Sequence, residues 1–92
     1  MSLEAAERFL SWLQIEQGRA GKTIEAYRRD LRDYDEWLAA RGKTTHTVVS
    51  ADVEAFVQYL RKHGRAPRSV ARQFAAVRML HKFLVVEGER PD

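Results

Sequence analysis

A long stretch that contains basic but no acidic residues is the feature of this sequence that most clearly indicates a binding function. No acidic residue lies between Glu54 and Glu87, whereas seven basic residues do: Arg61, Lys62, Arg65, Arg68, Arg72, Arg78 and Lys82. Such a stretch is typical of the electrostatic footprint of a protein that binds a polyanion. The alternative is a solvated helix face whose cations pair with acids elsewhere in the fold.

The residues around these cations favour DNA as the polyanion. On a helix, Arg68, Arg72, Ala75 and Met79 share one face, so long cations stand beside small or thin side chains. Small side chains let a helix backbone lie close to a bulky partner, while guanidinium groups reach guanine edges or phosphates in a major groove. We therefore expect Arg68 and Arg72 to be the residues that contact the edges of DNA bases. The alternative is that the alanines are ordinary helix formers.

A second helix start shows a similar combination of residues. Lys22 and Thr23 stand just before Ala26 and Arg29. The start of a helix offers free backbone N–H groups and the positive end of its dipole to a phosphate. The sequence therefore predicts that two helix starts converge on one groove and its flanking phosphates.

Residues that could support metal binding or catalysis form no recognised pattern. His46, His63 and His81 lack metal-ligand spacing, and the chain has no cysteine. Neither a G-x-S-x-G elbow nor a phosphate-binding glycine loop occurs. We expect no cofactor and no metal, and we expect His81 to be a partly buried, hydrogen-bonded residue.

Acidic and basic residues alternate closely within residues 28–36. The acids are Asp30, Asp33, Asp35 and Glu36, and the bases are Arg28, Arg29 and Arg32. This pattern predicts ion pairs within one helix rather than a catalytic carboxylate cluster. The tyrosines Tyr27, Tyr34 and Tyr59 fall on apolar stripes or their margins, so we interpret them as packing residues.

Length and composition limit the chain to one small domain. It has 92 residues, of which 45% are hydrophobic and 32% charged, with a net charge of +3. No run approaches the ~18 apolar residues of a membrane span, and the first residues lack the pattern of a signal peptide. The absence of cysteine is compatible with a reducing compartment, and we expect a cytoplasmic protein without membrane contact.

Four segments carry the three- and four-residue hydrophobic spacing of helices, which predicts an all-α fold. They span about residues 3–17, 23–41, 51–63 and 67–87. Gly42, Gly64 and Gly88 are expected to close the last three helices in the left-handed conformation. Ser2 and Ser50 are the expected N-caps of the first and third.

The fourth segment has an apolar stripe made of Val70, Phe74, Val77, Leu80 and Leu84. Phe74 is therefore expected in the core, where its loss would cost on the order of 3–5 kcal/mol. Losing the cap at Ser50 would cost less, roughly 0.5–2 kcal/mol.

Three other parts of the chain, outside the apolar stripes of the helices, also have expected roles. Trp37 should lie at the edge of a helix–helix contact. Residues 44–49 should form an extended connector that lays Val48 or Val49 on the core. Residues 89–92 have the composition of a linker.

A loose motif in the second segment has a known counterpart. A Thr is followed four residues later by a Tyr, then by a basic-acidic-Leu run and an aromatic-Leu pair: Thr23, Tyr27, Arg29-Asp30-Leu31 and Trp37-Leu38. Phe9-Leu10, Ala51-Asp52-Val53, Ser69, Val77-Arg78 and Phe83-Leu84 agree with the same counterpart in order and spacing. The chain thereby resembles, over essentially its whole length, the amino-terminal domain of tyrosine recombinases. These are the phage-integrase family, and the resemblance is strongest to the bacterial Xer recombinases that resolve chromosome dimers.

The resemblance implies a SAM-like, orthogonal four-helix bundle at residues 1–88, the core-binding domain. This domain would clamp one face of a recombination-site duplex, and residues 89–92 would begin the linker to a carboxy-terminal catalytic domain. The second and fourth helices would face the DNA, so the expected DNA-binding residues are Lys22, Thr23, Ala26, Arg29, Arg65, Arg68, Ser69 and Arg72. The implied partners are double-stranded DNA and other recombinase protomers, and the isolated domain is expected to be a monomer.

Two departures from the family qualify this interpretation. The family's catalytic arginines, His-x-x-Arg motif, lysine and nucleophilic tyrosine have no counterpart in this chain. Glu25 and Asp33 lie near the proposed DNA face, where they would weaken phosphate binding or contact cytosine N4. A helical protein–protein interaction domain is the alternative function, because SAM-like folds also serve that role.

We expect this chain alone to form no covalent adduct with DNA, because it lacks the nucleophile and the activating arginines of the family. The measurement is a denaturing gel after incubation with duplex DNA. Tyr27→Phe and Tyr59→Phe should leave DNA binding by the full-length protein largely intact. A covalent adduct on the gel would contradict this expectation.

Overall fold

Four α-helices and no strand make up the residues that the computed structural model describes, which are residues 2–92, with only the backbone of Ser2 and Leu3. The helices are α1 (Ser2–Ile15), α2 (Gly21–Ala40), α3 (Ser50–Lys62) and α4 (Pro67–Val86). The predicted all-α fold is confirmed, and the helix bounds differ from the expected ones by at most two residues. The expected Ser2 cap depends on a side chain outside the described residues.

Glycines end the helices as the sequence predicts. Gly42 has a φ of +71°, and the N–H of the following Lys43 donates to the carbonyl oxygen of Leu38 at 2.9 Å. This backbone bond satisfies a carbonyl of the last turn, and only glycine adopts such a φ without strain. Gly64 has the same conformation after α3, with Arg65 donating to Leu60.

The cap of α3 differs from the prediction. Ser50 is the first residue of the helix and Val49 is its N-cap, so the assignment of Ser50 as N-cap is wrong. Instead the carboxylate of Asp52 accepts the backbone N–H of Val49 at 2.9 Å, and the Lys43 ammonium donates to both of its oxygens at 2.8 Å. These hydrogen bonds lower the pKa of Asp52, and they tie the start of α3 to the end of α2.

The core lies between α1, α2 and α4, with α3 closing one side. Its largest fully buried side chains include Phe9 of α1, Tyr34 of α2 and Phe56 of α3. The ring of Tyr34 lies 5.0 Å from the ring of Phe56. Trp37 packs against Phe56 at 5.2 Å and stays half-buried at the edge, as the sequence predicts. Tyr27 and Tyr34 are buried packing residues, also as predicted.

The predicted apolar stripe of α4 is confirmed at Val70, Val77, Leu80 and Leu84, which are buried, and is wrong at one position. Phe74 is 37% exposed, whereas its neighbour Gln73 is completely buried. The placement of Phe74 in the core is therefore wrong. Gln73 occupies the inward position because its Nε2 donates to the backbone oxygen of Asp30 at 2.9 Å. Phe74 instead borders the open seam between α3 and α4, with the Arg78 guanidinium 5.6 Å from its ring centre.

The α2–α3 connector is a turn rather than the expected extended segment. The carbonyl of Thr44 accepts the N–H groups of Thr47 and Val48 at 3.1 and 3.0 Å. Val48 is the connector valine that reaches the core, while Val49 is exposed. The threonine hydroxyls explain the turn, because the Thr47 Oγ1 accepts the Thr44 N–H at 2.9 Å.

Residues 89 and 90 pack against this connector. The Glu89 carboxylate accepts from Arg8 of α1 and from His46. The largely buried guanidinium of Arg90 donates to the carbonyl oxygens of Thr45 and Val48, both at 2.7 Å. The chain directly after α4 therefore makes ordered contacts with two other parts of the fold.

We predict that Phe56→Ala destabilises the fold by about 3–5 kcal/mol, because it removes a fully buried ring and leaves a cavity. Phe74→Ala should cost far less, since the ring of Phe74 is partly in solvent. Thermal or urea unfolding of the two variants beside the wild type measures both values. Equal losses in the two variants would contradict this packing.

His81 should make stability depend on pH. Its ring nitrogen lies 2.9 Å from the Tyr34 hydroxyl, and burial lowers its pKa to about 4, with Arg90 and His46 nearby adding to the effect. Between pH about 6.5 and about 4 the unfolded chain binds a proton at this position that the folded chain does not bind. Stability should therefore fall as the pH decreases through that window.

The matched variant for this effect is His81→Gln, which keeps a polar side chain facing Tyr34 without a titrating ring. Its melting temperature should fall less steeply over the same pH window, with the remaining slope coming from carboxylates. Melting curves at several pH values measure the difference. Identical slopes for the two proteins would rule out His81 as the source.

Candidate nucleic-acid interface

The residues that the sequence predicts to bind DNA lie on α2, on α4 and in the turn before α4, and the structure shows Arg65 and Arg72 in contact with α2. Half of them are exposed, namely Lys22, Arg29, Arg65 and Arg68. The other half are partly buried, namely Thr23, Ala26, Ser69 and Arg72. We call the surface formed by these eight residues the α2–α4 face. Their contact with DNA stays a prediction.

Arg72 is joined to α2 by a two-pronged ion pair. Its Nε and Nη2 each donate to one carboxylate oxygen of Asp30, both at 2.8 Å. The Asp30 side chain is only 2% exposed, whereas that of Arg72 is 39% exposed. Asp30 raises the pKa of Arg72, so the guanidinium stays charged while it spans the two helices.

Arg65 and Asp33 form a second and looser link. A single hydrogen bond of 3.2 Å joins the Arg65 Nη2 to the Asp33 carboxylate, and both side chains are largely in solvent. An exposed pair of this kind contributes little to stability and is screened by salt. Asp33 therefore offsets the charge of Arg65 on the α2–α4 face without fixing it in place.

The sequence predicts ion pairs within α2, and this prediction is wrong for the three α2 residues whose partners the structure shows. All three pair with residues outside α2. Asp30 and Asp33 bond to Arg72 and Arg65, and Arg28 donates to Glu7 of α1 at 2.8 and 3.0 Å. Because α2 packs between α1 and α4, its charged side chains meet partners on those neighbours before they meet each other. The charges on α2 thus join helices instead of stabilising one helix.

Three cations of the α2–α4 face stand without an ion-pair partner. Lys22, Arg29 and Arg68 form no ion pair within residues 4–92. Ala71 and Ala75 are exposed on α4, whereas Met79 is partly buried against the core, so the expected exposed position of Met79 is wrong. The exposed strip of α4 thus combines a free guanidinium with small side chains.

The helix starts beside these cations have no side-chain caps. The N-caps of α2 and α4 are Ala20 and Ala66, neither of which can accept a hydrogen bond from the first turn through its side chain. No acidic residue lies in either first turn. Backbone N–H groups and cations therefore accumulate at the same ends of the two helices.

Asp30 and Gln73 are the residues of this region whose roles the sequence reasoning missed. Each stands within an apolar stripe, Asp30 between Tyr27 and Tyr34 and Gln73 between Val70 and Val77. A polar residue three or four positions from buried neighbours on both sides faces inward and needs a partner. That spacing is the signal that could have identified them.

Two other features are absent from the residues that the structure describes. They contain no group of three or more His, Cys, Asp or Glu side chains placed to hold a metal ion. None of their helices combines the length and apolar character that crossing a membrane requires.

Comparison with known proteins relates the chain to recombinases. Residues 6–88 match the model of the "phage integrase, N-terminal SAM-like domain". The chain is 35% identical over all its 92 residues to a tyrosine recombinase XerD of Rhizobium meliloti, and it covers 30% of that protein. It is 38% identical over 88 residues, 96% of the chain, to the XerD of Brucella abortus, of which it covers 28%.

The similarity extends beyond these bacteria. The XerD of Listeria monocytogenes is 36% identical over 85 residues, which are 90% of the chain and 29% of that protein. No solved structure matches the chain significantly. The chain spans less than a third of the length of these curated relatives, and the part it matches is their SAM-like domain rather than their catalytic domain. The chain belongs to the phage-integrase family of tyrosine recombinases and comprises the family's N-terminal SAM-like domain.

Proposed function

We propose that this chain is the DNA-binding module of a site-specific tyrosine recombinase. It holds one face of the recombination-site duplex, while a separate catalytic domain cleaves and exchanges the strands. The observation that carries the proposal is the group of exposed cations without ion pairs, Lys22, Arg29 and Arg68, of which Lys22 and Arg68 stand in the uncapped first turns of α2 and α4. Membership in the recombinase family supports the same role.

The shape of α4 supports insertion into a major groove. A helix fits the width of that groove, and the exposed Ala71 and Ala75 allow its backbone to approach the bases. Arg68 extends from the same side, and Lys22 and the start of α2 lie where flanking phosphates would be held. Thr23 and Ser69, both partly exposed, add hydroxyl donors to this set.

The wider setting of the proposal follows from the relatives. The whole protein would act with other recombinase protomers on double-stranded DNA in the cytoplasm, in DNA integration or in the resolution of chromosome dimers. The domain corresponds to residues 1–88, and residues 89–92 lead toward the catalytic domain.

A protein-binding role is the second candidate, and one observation favours it. The seam between α3 and α4 is an open groove of about 970 Å³, lined by apolar residues that include Val57 and the exposed Phe74, and by polar ones such as Arg61. Apolar contacts of this kind respond weakly to salt. The salt dependence of binding therefore distinguishes this role from DNA binding.

We predict that the chain binds duplex DNA weakly and with a steep salt dependence. About 4–6 phosphate contacts would give a log–log slope of roughly −4 to −5. Lys22→Ala should weaken binding to all sequences alike and flatten the slope by about one, whereas Arg68→Ala should cost ~1–3 kcal/mol and relax preference at one position. Fluorescence anisotropy at several salt concentrations measures these values.

The matched control is Arg61→Ala, which removes an exposed cation on α3 that is not one of the eight residues of the α2–α4 face. It should change affinity and slope far less than Lys22→Ala. An amide-shift titration with duplex DNA locates the surface directly. Perturbations centred on α1 and α3, with α2 and α4 unaffected, would overturn the proposed face.

A further inference from the structure

Arg72 differs from the other cations of the α2–α4 face because a buried carboxylate fixes its orientation. Asp30 engages one edge of the guanidinium, made of Nε and Nη2, with both of its oxygens at 2.8 Å. A guanidinium has a second edge, made of Nη1 and Nη2, that can donate to another pair of acceptors. In Arg72 this second edge makes no hydrogen bond to any residue that the structure describes.

The second edge of Arg72 is directed away from Asp30 for a geometric reason. The Asp30 side chain is almost completely buried, so the edge bonded to it points into the fold. The two edges of a planar guanidinium share Nη2 and are directed roughly 120° apart, so the second edge does not face the same carboxylate. The Arg72 side chain is 39% exposed, which is consistent with donors of the second edge that can reach a partner outside the fold.

The position of Asp30 is itself fixed by the next residue of α4. Gln73 Nε2 donates to the backbone oxygen of Asp30 at 2.9 Å, in a fully buried contact. Consecutive residues of α4 thus hold the side chain and the backbone of the same α2 residue. This double attachment fixes the position of Arg72 relative to both helices, and it restricts the guanidinium to few side-chain conformations.

The charge of Asp30 affects which ligand the second edge of Arg72 can bind. The carboxylate of Asp30 cancels most of the charge of Arg72, so its attraction for phosphate is weaker than that of the unpaired Arg68 or Lys22. The fork of hydrogen-bond donors remains intact. Two parallel donors at the end of an arginine match the O6 and N7 acceptors of guanine in the major groove.

We infer that Asp30 is a positioning residue that holds the outer edge of Arg72 in place to read a guanine. The inference rests on the proposed function, since it requires that the α2–α4 face lie on DNA. Asp30 itself does not touch the base. It supplies the orientation, so that Arg72 loses little side-chain entropy when it binds.

The test uses the 92-residue chain and duplexes selected by it from a pool with a randomised central sequence. Each guanine of a selected duplex is replaced in turn by 7-deazaguanine, which lacks the N7 acceptor. We expect the wild type to lose about tenfold in affinity at one guanine. Asp30→Asn and Arg72→Lys should lose that sensitivity while still binding the duplex.

The matched control is Asp33→Asn, which removes the same charge from the same helix without touching Arg72. It should bind all duplexes somewhat more tightly and keep the sensitivity to 7-deazaguanine. Circular dichroism and melting curves verify that each variant is folded. If Asp30→Asn does not fold, Arg72→Lys decides the question, because a lysine can still pair with Asp30 but has no second edge.

The outcomes separate this inference from the proposed function. A wild type that binds no duplex would overturn both. A wild type that binds duplexes without sensitivity at any guanine, or an Arg72→Lys variant that keeps the sensitivity, would overturn the inference alone. A gain in affinity and in guanine preference for Asp30→Asn beyond that for Asp33→Asn would show that Asp30 withholds Arg72 from DNA, which also overturns it.

Discussion

The buried carboxylate of Asp30 constrains the arrangement of α2 and α4. A charge removed from water is costly unless it is paired and its remaining acceptors are satisfied. Arg72 satisfies both oxygens, and Gln73 satisfies the backbone carbonyl of the same residue. These bonds are directional, so α4 can neither slide along α2 nor rotate against it without breaking them. Apolar packing alone would tolerate such shifts more easily.

The link between Asp30 and Arg72 joins the middle of α2 to the second turn of α4. Arg65, just before α4, reaches Asp33, which lies further along α2, so the start of α4 lies near the middle of α2. Lys22, Arg29 and Arg68 are exposed on the two helices that this link joins. The buried, charge-neutral pair fixes the arrangement of the helices, whereas the exposed cations supply long-range attraction for a polyanion.

Local signals allowed the sequence to predict the helices and their ends. Three- and four-residue hydrophobic spacing placed all four helices, and Gly42 and Gly64 marked ends that the backbone confirms. The exchange between Phe74 and Gln73 could not be foreseen from hydrophobicity. Neighbouring residues on a helix differ by about 100° in direction, and a donor that reaches Asp30 outweighed the greater hydrophobicity of phenylalanine. The pairing of Asp30 with Arg72 could not be predicted from local sequence patterns either, because the two residues are 42 positions apart in the chain.

α3 is held in place differently from the other helices. Only Phe56 and Leu60 of α3 are buried, so its apolar attachment is small and its seam with α4 stays open. Polar links compensate at its first turn, where Asp52 joins Lys43, and next to it, where Arg90 holds the connector carbonyls. The residues that follow α4 therefore stabilise the connector before α3, whereas the buried bonds between α2 and α4 hold those two helices together without them.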